Sequence, residues 1–305
     1  MHSRMTRLSI ALFLLWGVSG FAAAQPVQTP SADQTWFVDT HAACCAELET
    51  ACFSQLQPDQ CWAAANLDAF LATDDPNLPT VVFVPGNRAT RQDAMDMAWQ
   101  VQQQLKACGA GCVRMVAWSW PAERISRRNR PDVRAKACRS DVESHLLGQL
   151  LSRVKPEVRV SLVGYSFGAR VIGGGLHLVS GGTLNGYALP QAVQRAPMRA
   201  VFVAAAIDTD WLLPGHRHGL ATMQLEHLLV TVNSNDPGLR FYPLMYRVGG
   251  PQALGYAGPA CCGCPDEKLE LLDVTCSVGR HHGWEFYFCS RGLLARLPWY
   301  GFVSE

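Results

Sequence analysis

The chain has 305 residues, of which 49% are hydrophobic and 17% are charged, and its formal net charge is +1. This composition is typical of a globular protein with enough apolar material for a large core. A net charge so close to zero gives no electrostatic reason to expect binding of nucleic acid or capture of acidic substrates. Nucleic acid is therefore not an expected partner.

The first 24 residues have the features of a secretory signal peptide. Arg4 and Arg7 form a basic start, the apolar run 8–18 follows, and Ala22-Ala23-Ala24 before Gln25 provides a cleavage site. The apolar run is short of a full membrane span, so we expect no stable membrane anchor. We predict cleavage of residues 1–24 and a secreted or periplasmic protein.

The chain contains twelve cysteines. An even number in an exported protein predicts disulfide bonds, although their connectivity cannot be deduced from the sequence. Cys108 and Cys112 bracket a short glycine-containing loop that a bridge could close. The alternative is a metal site at Cys261, Cys262 and Cys264, but this spacing fits zinc sites poorly. We therefore expect no metal.

The remaining chain divides into a short segment and a large domain. Residues 41–70 hold four of the cysteines and show alanine-rich helical spacing, so we interpret residues 25–78 as a Cys-rich N-terminal appendage with one strand near its start, over 35–40. The large domain then spans residues 79–305.

Short β-branched runs alternate with helical patterns in this large domain. The predicted strands are 80–84, 113–118, 158–163, 198–205, 225–232 and 269–276. Four helices are predicted. The first begins after Thr90, the second ends near Leu151, the third spans 166–179 and the fourth spans 284–297. This alternation predicts an α/β fold, with a mostly parallel sheet, helices on both faces and a functional site at the carboxyl ends of the strands.

The most informative motif is Gly-x-Ser-x-Gly, formed by Gly164, Ser166 and Gly168 between a predicted strand and a predicted helix. This context is typical of a nucleophile elbow, in which a strained turn exposes an activated serine. The glycines allow strand and helix to approach closely. The serine then lies at a helix N-terminus, where backbone N–H groups stabilise developing negative charge.

An activated serine requires a histidine as base. Four downstream histidines are less suitable, because they lie inside the elbow helix, in a polar loop where we expect surface residues, or inside a strand pattern: His177, His216, His218 and His227. The pair His281 and His282 follows the last predicted strand, where the base is expected in the order serine, acid, histidine. We favour His282 and keep His281 as the alternative.

The acid and the oxyanion donors are predicted from position. Asp236 follows the penultimate strand and is the favoured acid, while Asp208, after the preceding strand, is the alternative. The backbone N–H of Phe167 is one expected oxyanion donor, and Gly86 or Asn87, after the first strand of the domain, is expected to supply the other.

Three segments, 82–88, 117–121 and 162–168, resemble in order and spacing the motifs of a family of largely uncharacterised bacterial α/β-hydrolases. The resemblance covers about residues 80–300 and implies the α/β-hydrolase fold, with Ser166 as nucleophile, Asp236 as acid and His281 or His282 as base. Two positions depart from the family pattern, because Pro85 and Tyr165 stand where the family usually has histidine.

Together these observations predict an exported serine hydrolase that cleaves esters, thioesters or amides through an acyl-enzyme on Ser166. The expected substrate is a small-molecule or lipid-like acyl compound, and no cofactor is called for. The alternative is a non-catalytic binding or structural protein of the same fold. We interpret Trp118 and Trp120 as core residues and the Arg-rich segment 124–139 as a solvated face.

Overall fold

Nine strands form a single sheet in the computed structural model, which describes residues 32–43, 46–107, 111–246, 249–260 and 267–303. The strands are β1 Gln34–Asp39, β2 Cys52–Leu56, β3 Trp62–Ala65, β4 Thr80–Val84, β5 Arg114–Ser119, β6 Val160–Tyr165, β7 Met198–Val203, β8 Leu225–Val232 and β9 Leu269–Asp273. Their order is β3-β2-β1-β5-β4-β6-β7-β8-β9, and only the pairings made by β2 are antiparallel.

Ten helices surround this sheet in the described part of the chain. They are α1 Leu67–Leu71, α2 Arg91–Ala107, α3 Asn129–Arg153, α4 Phe167–Val179, α5 Pro237–Arg240, α6 Tyr242–Tyr246, α7 Leu254–Ala257, α8 Thr275–Val278, α9 Trp284–Tyr287 and α10 Arg291–Tyr300. Short 3₁₀ turns span Leu48–Thr50 and Ala221–Gln224. Helix α3 packs along α4, and α10 packs on α2.

The central strands explain why the sheet is parallel. Every residue of β4, β5 and β6 is buried, which requires helices on both faces of the sheet. Strands β4 to β9 run parallel, and the chain turns sharply from β6 into α4. This is the α/β-hydrolase arrangement, so the fold class predicted from the sequence is confirmed.

The N-terminal segment extends the same sheet. Strand β1 lies parallel to β5, and β2 and β3 continue from it. Trp36 and Phe53 on these strands are buried in the main core. The helical interpretation of residues 41–70 is wrong for Cys52–Leu56 and Trp62–Ala65, because the first pairs with β1 and the second pairs with β2 as an exposed edge strand. The boundary between residues 25–78 and 79–305 stays a prediction, and the predicted signal peptide lies outside the described residues.

Two C-terminal elements differ from the prediction, since the last strand is shorter and the closing helix is interrupted and extends to Tyr300 rather than Leu297. The last strand ends at Asp273 rather than Cys276, because the Asp273 carboxylate accepts the N–H of Thr275 and starts α8. The closing helix is split into α9 and α10 by a turn in which the N–H of Ser290 bonds the carbonyl of Tyr287. The break lies directly after Tyr287, whose side chain enters the candidate site.

The cysteines of the described residues carry no disulfide. The free thiols are Cys52, Cys61, Cys112, Cys138, Cys276 and Cys289. The predicted bridges are therefore absent from this part of the chain, and Cys108, like Cys44, Cys45, Cys261, Cys262 and Cys264, lies outside it. Within the same ranges no helix is long and apolar enough to cross a membrane, and no cluster of three metal-ligating side chains occurs.

Candidate active site

Ser166 lies at the turn between β6 and α4 in a strained backbone conformation. Its φ is 54° and its ψ is −112°, a combination that non-glycine residues adopt rarely. Its N–H donates to the carbonyl of Val203 at 2.8 Å, and its own carbonyl accepts the N–H of Ala206 at 3.2 Å. The end of β7 therefore holds the strained turn in place.

The two glycines of the motif are required by close packing. A Cβ on Gly168 would lie 1.9 Å from the carbonyl oxygen of Val84 on β4. A Cβ on Gly164 would lie 2.7 Å from the backbone nitrogen of Ala169. Any side chain at either position would push the helix away from the sheet and displace Ser166.

The structure brings Ser166 and His282 together. The serine Oγ lies 3.2 Å from His282 Nε2, although the two residues are 116 positions apart. The other ring nitrogen, Nδ1, lies 2.8 Å from Asp236 Oδ2. With the proton on Nδ1 donated to the carboxylate, Nε2 is free to accept the proton of the serine hydroxyl. The three side chains thus form one continuous hydrogen-bonded line.

Asp236 is fully buried and all its lone-pair directions are used by donors. Its Oδ1 accepts the N–H groups of Gly238 at 2.8 Å and Leu239 at 3.0 Å. Its Oδ2 accepts His282 Nδ1 and the Tyr287 hydroxyl, the latter at 2.6 Å. Burial alone raises the pKa of this carboxyl, but the bonds from His282, Tyr287 and the backbone outweigh it and lower the pKa below its usual value. Asp236 is therefore ionised at neutral pH.

The two sequence alternatives lie apart from this line. His281 stacks on the ring of Phe286 with the centroids 3.7 Å apart. Asp208 accepts the hydroxyl of Tyr242 at 2.7 Å, and burial raises its pKa. In the described residues neither group has a hydrogen bond to Ser166 or His282, so the geometry favours His282 and Asp236.

The other four histidines downstream of Ser166 also lie away from it, but one prediction about them is wrong. His177 is buried on α4 and accepts a backbone N–H, and His227 packs on a tryptophan. His216 is exposed, as expected. His218 is fully buried rather than exposed, because its loop folds onto α4 and places the ring against Trp211. Burial holds the pKa of His218 well below its usual value.

Three residues that support the site were not found from the sequence. The Tyr165 hydroxyl donates to the carbonyl oxygen of His282 at 2.5 Å, and Tyr287 bonds Asp236. A Cβ on Gly238 would lie 2.8 Å from the His282 ring, so this glycine lets the imidazole lie against the backbone. Only Tyr165 gave a signal in the sequence, as a departure from the family pattern.

The loop after β4 lies against the serine. A Cβ on Gly86 would be 2.9 Å from the Ser166 Cβ, so only glycine fits there. The first N–H groups of α4, including that of Phe167, have no partner within the helix. Asn87 and Phe167 line the same cavity as Ser166 and His282. This places the three predicted oxyanion residues around the serine.

The cavity beside Ser166 is small and largely apolar. Its volume is about 190 Å³. It is lined by Asn87, Arg88, Asn129, Val133, Ser166, Phe167, Ala206, Gly238, Leu239, Tyr242 and His282. Trp118 and Trp120 are buried in the core instead, as expected. An apolar cavity with a few polar groups is typical of a binding site for a small molecule.

No protein-family model matches the chain, and no curated protein matches it. Among solved structures it is similar to a putative hydrolase from Agrobacterium vitis, with a TM-score of 0.42 and 12% identity over 81% of this chain and 93% of that chain. It is also similar to an inhibited esterase B from Lactobacillus rhamnosis, with a TM-score of 0.39 and 11% identity over 89% of this chain and 86% of that chain. A second inhibited form of that esterase is similar with a TM-score of 0.38 and 10% identity, over 90% of this chain and 88% of that chain.

Proposed function

We propose that the protein is a serine hydrolase that cleaves ester, thioester or amide bonds through an acyl-enzyme on Ser166. The observation that carries the proposal is the hydrogen-bonded line from Ser166 through His282 to Asp236 at a strained turn. Strain of this kind costs free energy and is typically retained where it serves a reaction. The alternative, a non-catalytic protein of the same fold, gives no reason for a histidine and a buried carboxylate to align on this serine.

In the first half-reaction, Ser166 Oγ attacks the acyl carbonyl while His282 Nε2 takes the hydroxyl proton. The ionised Asp236 stabilises the imidazolium that forms and keeps the ring in the required orientation. The N–H of Phe167 and an N–H from the Gly86–Asn87 loop stabilise the oxyanion of the tetrahedral intermediate. His282 then gives the proton to the leaving group.

In the second half-reaction, water attacks the acyl-enzyme and His282 again serves as base. The acid formed leaves, and Ser166 regains its proton from His282. Every step uses side chains and backbone groups of the chain itself, so we expect no cofactor. We further propose that the protein belongs with the bacterial α/β-hydrolases it resembles, acts on a small-molecule or lipid-like acyl compound, and is exported by the signal peptide predicted at residues 1–24.

Hydrolysis of p-nitrophenyl butyrate by the full chain tests this proposal. Ser166→Ala should lower kcat by up to about 10⁶-fold, because the nucleophile is lost while the fold keeps its packing. Ser161→Ala is the matched control, since Ser161 is a buried serine on β6, the strand that leads into Ser166, and lies outside the cavity. Equal activity in the Ser166 variant and the wild type would refute the assignment.

A further inference from the structure

Two guanidinium groups meet at the mouth of the cavity. Arg88 Nη2 lies 2.8 Å from the side-chain oxygen of Asn129, and Arg124 Nη2 lies 3.2 Å from the same oxygen. Arg88 and Asn129 both line the cavity that contains Ser166 and His282. One neutral amide therefore holds two positive charges next to each other at the entrance to the site.

The carboxylates nearby do not balance this charge. Arg88 is paired with the buried Asp132 at 3.5 Å. Arg124 has no ion pair within the described ranges, and its other bonds go to the backbone carbonyls of Ser126 and Arg127. Four more exposed arginines nearby are likewise without an ion pair to any described residue: Arg127, Arg128, Arg130 and Arg134. These arginines form a local excess of positive charge, although the net charge of the whole chain is only +1.

The backbone fixes Arg88 beside the reacting centre. Its φ is +73°, a left-handed conformation that is uncommon for residues other than glycine, and its N–H donates to the carbonyl of Ala122 at 2.7 Å. Arg88 follows Gly86 and Asn87 directly, in the loop that provides the second candidate oxyanion donor. A group bound by Arg88 is therefore held close to the acyl carbonyl.

We propose that the substrate carries a negatively charged group, a carboxylate or a phosphate, that Arg88 and Arg124 bind while its acyl carbonyl lies at Ser166. This inference rests on the proposed hydrolase function and specifies its substrate class. Two guanidinium groups in proximity repel each other, and an anion between them converts the repulsion into two charge-assisted hydrogen bonds. Guanidinium geometry suits both carboxylate and phosphate. The anion belongs either to a soluble acyl compound or to a lipid headgroup.

A matched pair of esters tests the proposal with the full chain. Mono-p-nitrophenyl adipate and p-nitrophenyl hexanoate have acyl chains of the same length and differ only in the terminal carboxylate. We expect kcat/KM to be at least about tenfold higher for the adipate ester at low salt, with the preference decreasing as ionic strength rises.

Substitution of Arg124 should remove this preference. Arg124→Gln should lower the adipate-to-hexanoate ratio about tenfold, the loss expected for one charge-assisted bond, and Arg124→Lys should retain part of it. Arg134→Gln is the matched control, because it removes the same charge from an exposed arginine of α3 that, unlike Arg124, has no hydrogen bond to the cavity residue Asn129. A ratio near one in the wild type, or equal losses in the Arg124→Gln and Arg134→Gln variants, would overturn the proposal.

A binding measurement separates this proposal from the hydrolase function. If neither ester is hydrolysed in a Ser166-dependent way, the proposed function fails, but calorimetry with adipate dianion still tests the anion site in Ser166→Ala. Binding that Arg124→Gln weakens about tenfold would support the site, and absence of binding would overturn it. Cosedimentation with phosphatidylglycerol vesicles, compared with phosphatidylcholine vesicles, identifies the source of the anion. Vesicle binding that is lost in Arg124→Gln indicates a lipid headgroup. Selectivity for the adipate ester without vesicle binding indicates a soluble substrate.

Discussion

Replacing Asp236 with asparagine should disable the site without disturbing the fold. The amide oxygen can take the position of Oδ1 and keep the N–H bonds of Gly238 and Leu239. The amide NH₂ then takes the position of Oδ2, where the carboxylate accepts from His282 and Tyr287. The tyrosine hydroxyl can rotate and accept from this new donor. His282 Nδ1 must also become an acceptor, which moves the ring proton to Nε2.

The wrong tautomer explains the size of the effect. With a proton on Nε2, the imidazole donates to Ser166 and cannot take its proton. In serine–histidine–aspartate triads this change lowers kcat about 10⁴-fold, which corresponds to about 5.5 kcal/mol of transition-state stabilisation. All four hydrogen bonds of the buried group can still form, two of them with donor and acceptor exchanged, so the free energy of unfolding should fall by no more than about 2 kcal/mol.

The assay is steady-state hydrolysis of p-nitrophenyl butyrate together with urea unfolding. Asp208→Asn is the control, since Asp208 is a half-buried carboxylate that bonds Tyr242 and not His282. We expect it to keep an activity close to that of the wild type. Activity of Asp236→Asn within about tenfold of the wild type, or a larger loss in Asp208→Asn, would refute the reasoning.

Four further substitutions give three more predictions, two about this line and its surroundings and one about the stability of the fold. His282→Ala should abolish hydrolysis while His281→Ala reduces it little, because only the His282 ring contacts the serine. Tyr287→Phe removes a bond that lowers the pKa of Asp236, so the acid limb of the kcat/KM profile against pH should move to higher pH. Burial lowers the pKa of His41, but hydrogen bonds to the carboxylates of Asp39 and Glu123 outweigh burial and raise the pKa. Protonation of His41 therefore stabilises the fold. His41→Gln should therefore cost most stability in urea unfolding below about pH 6.5, and the difference should shrink as the pH rises above that value.

Each of these has a control or an outcome that contradicts it. Equal losses in the two histidine variants would place the base elsewhere. Tyr300→Phe removes a hydroxyl that bonds Glu270 outside the site, and a pH profile shifted as much as in Tyr287→Phe would assign the shift to a general effect. A stability difference for His41→Gln that grows toward alkaline pH would show that the pKa of His41 is lowered in the folded protein.

The turn at Ser166 was predictable because its signal is local. The run of β-branched residues, the two glycines and the apolar helix all lie within about twenty residues, and each has a direct steric reason. The central strands were predictable for the same reason, since burial on both faces demands continuous apolar runs. By contrast, Trp62–Ala65 was misinterpreted because alanine favours helix locally, whereas pairing with β2 decides its structure.

The support of the site could not be predicted because it depends on contacts between distant residues. Tyr287 bonds a carboxylate 51 positions away, and the burial of His218 follows from how its loop packs on α4. His281 and His282 are adjacent, so their sequence positions cannot distinguish them. Only the stacking of His281 on Phe286 and the contact of His282 with Ser166 separate the two.

Activity-based labelling tests the central claim most directly, because it reports whether Ser166 is activated and needs no knowledge of the substrate. A fluorophosphonate probe would be added to the full chain, and the labelled peptide would be identified by mass spectrometry. We predict covalent modification of Ser166, loss of labelling in Ser166→Ala and His282→Ala, and normal labelling in Ser161→Ala. A folded protein that takes no label, or one labelled at another serine, would contradict the account.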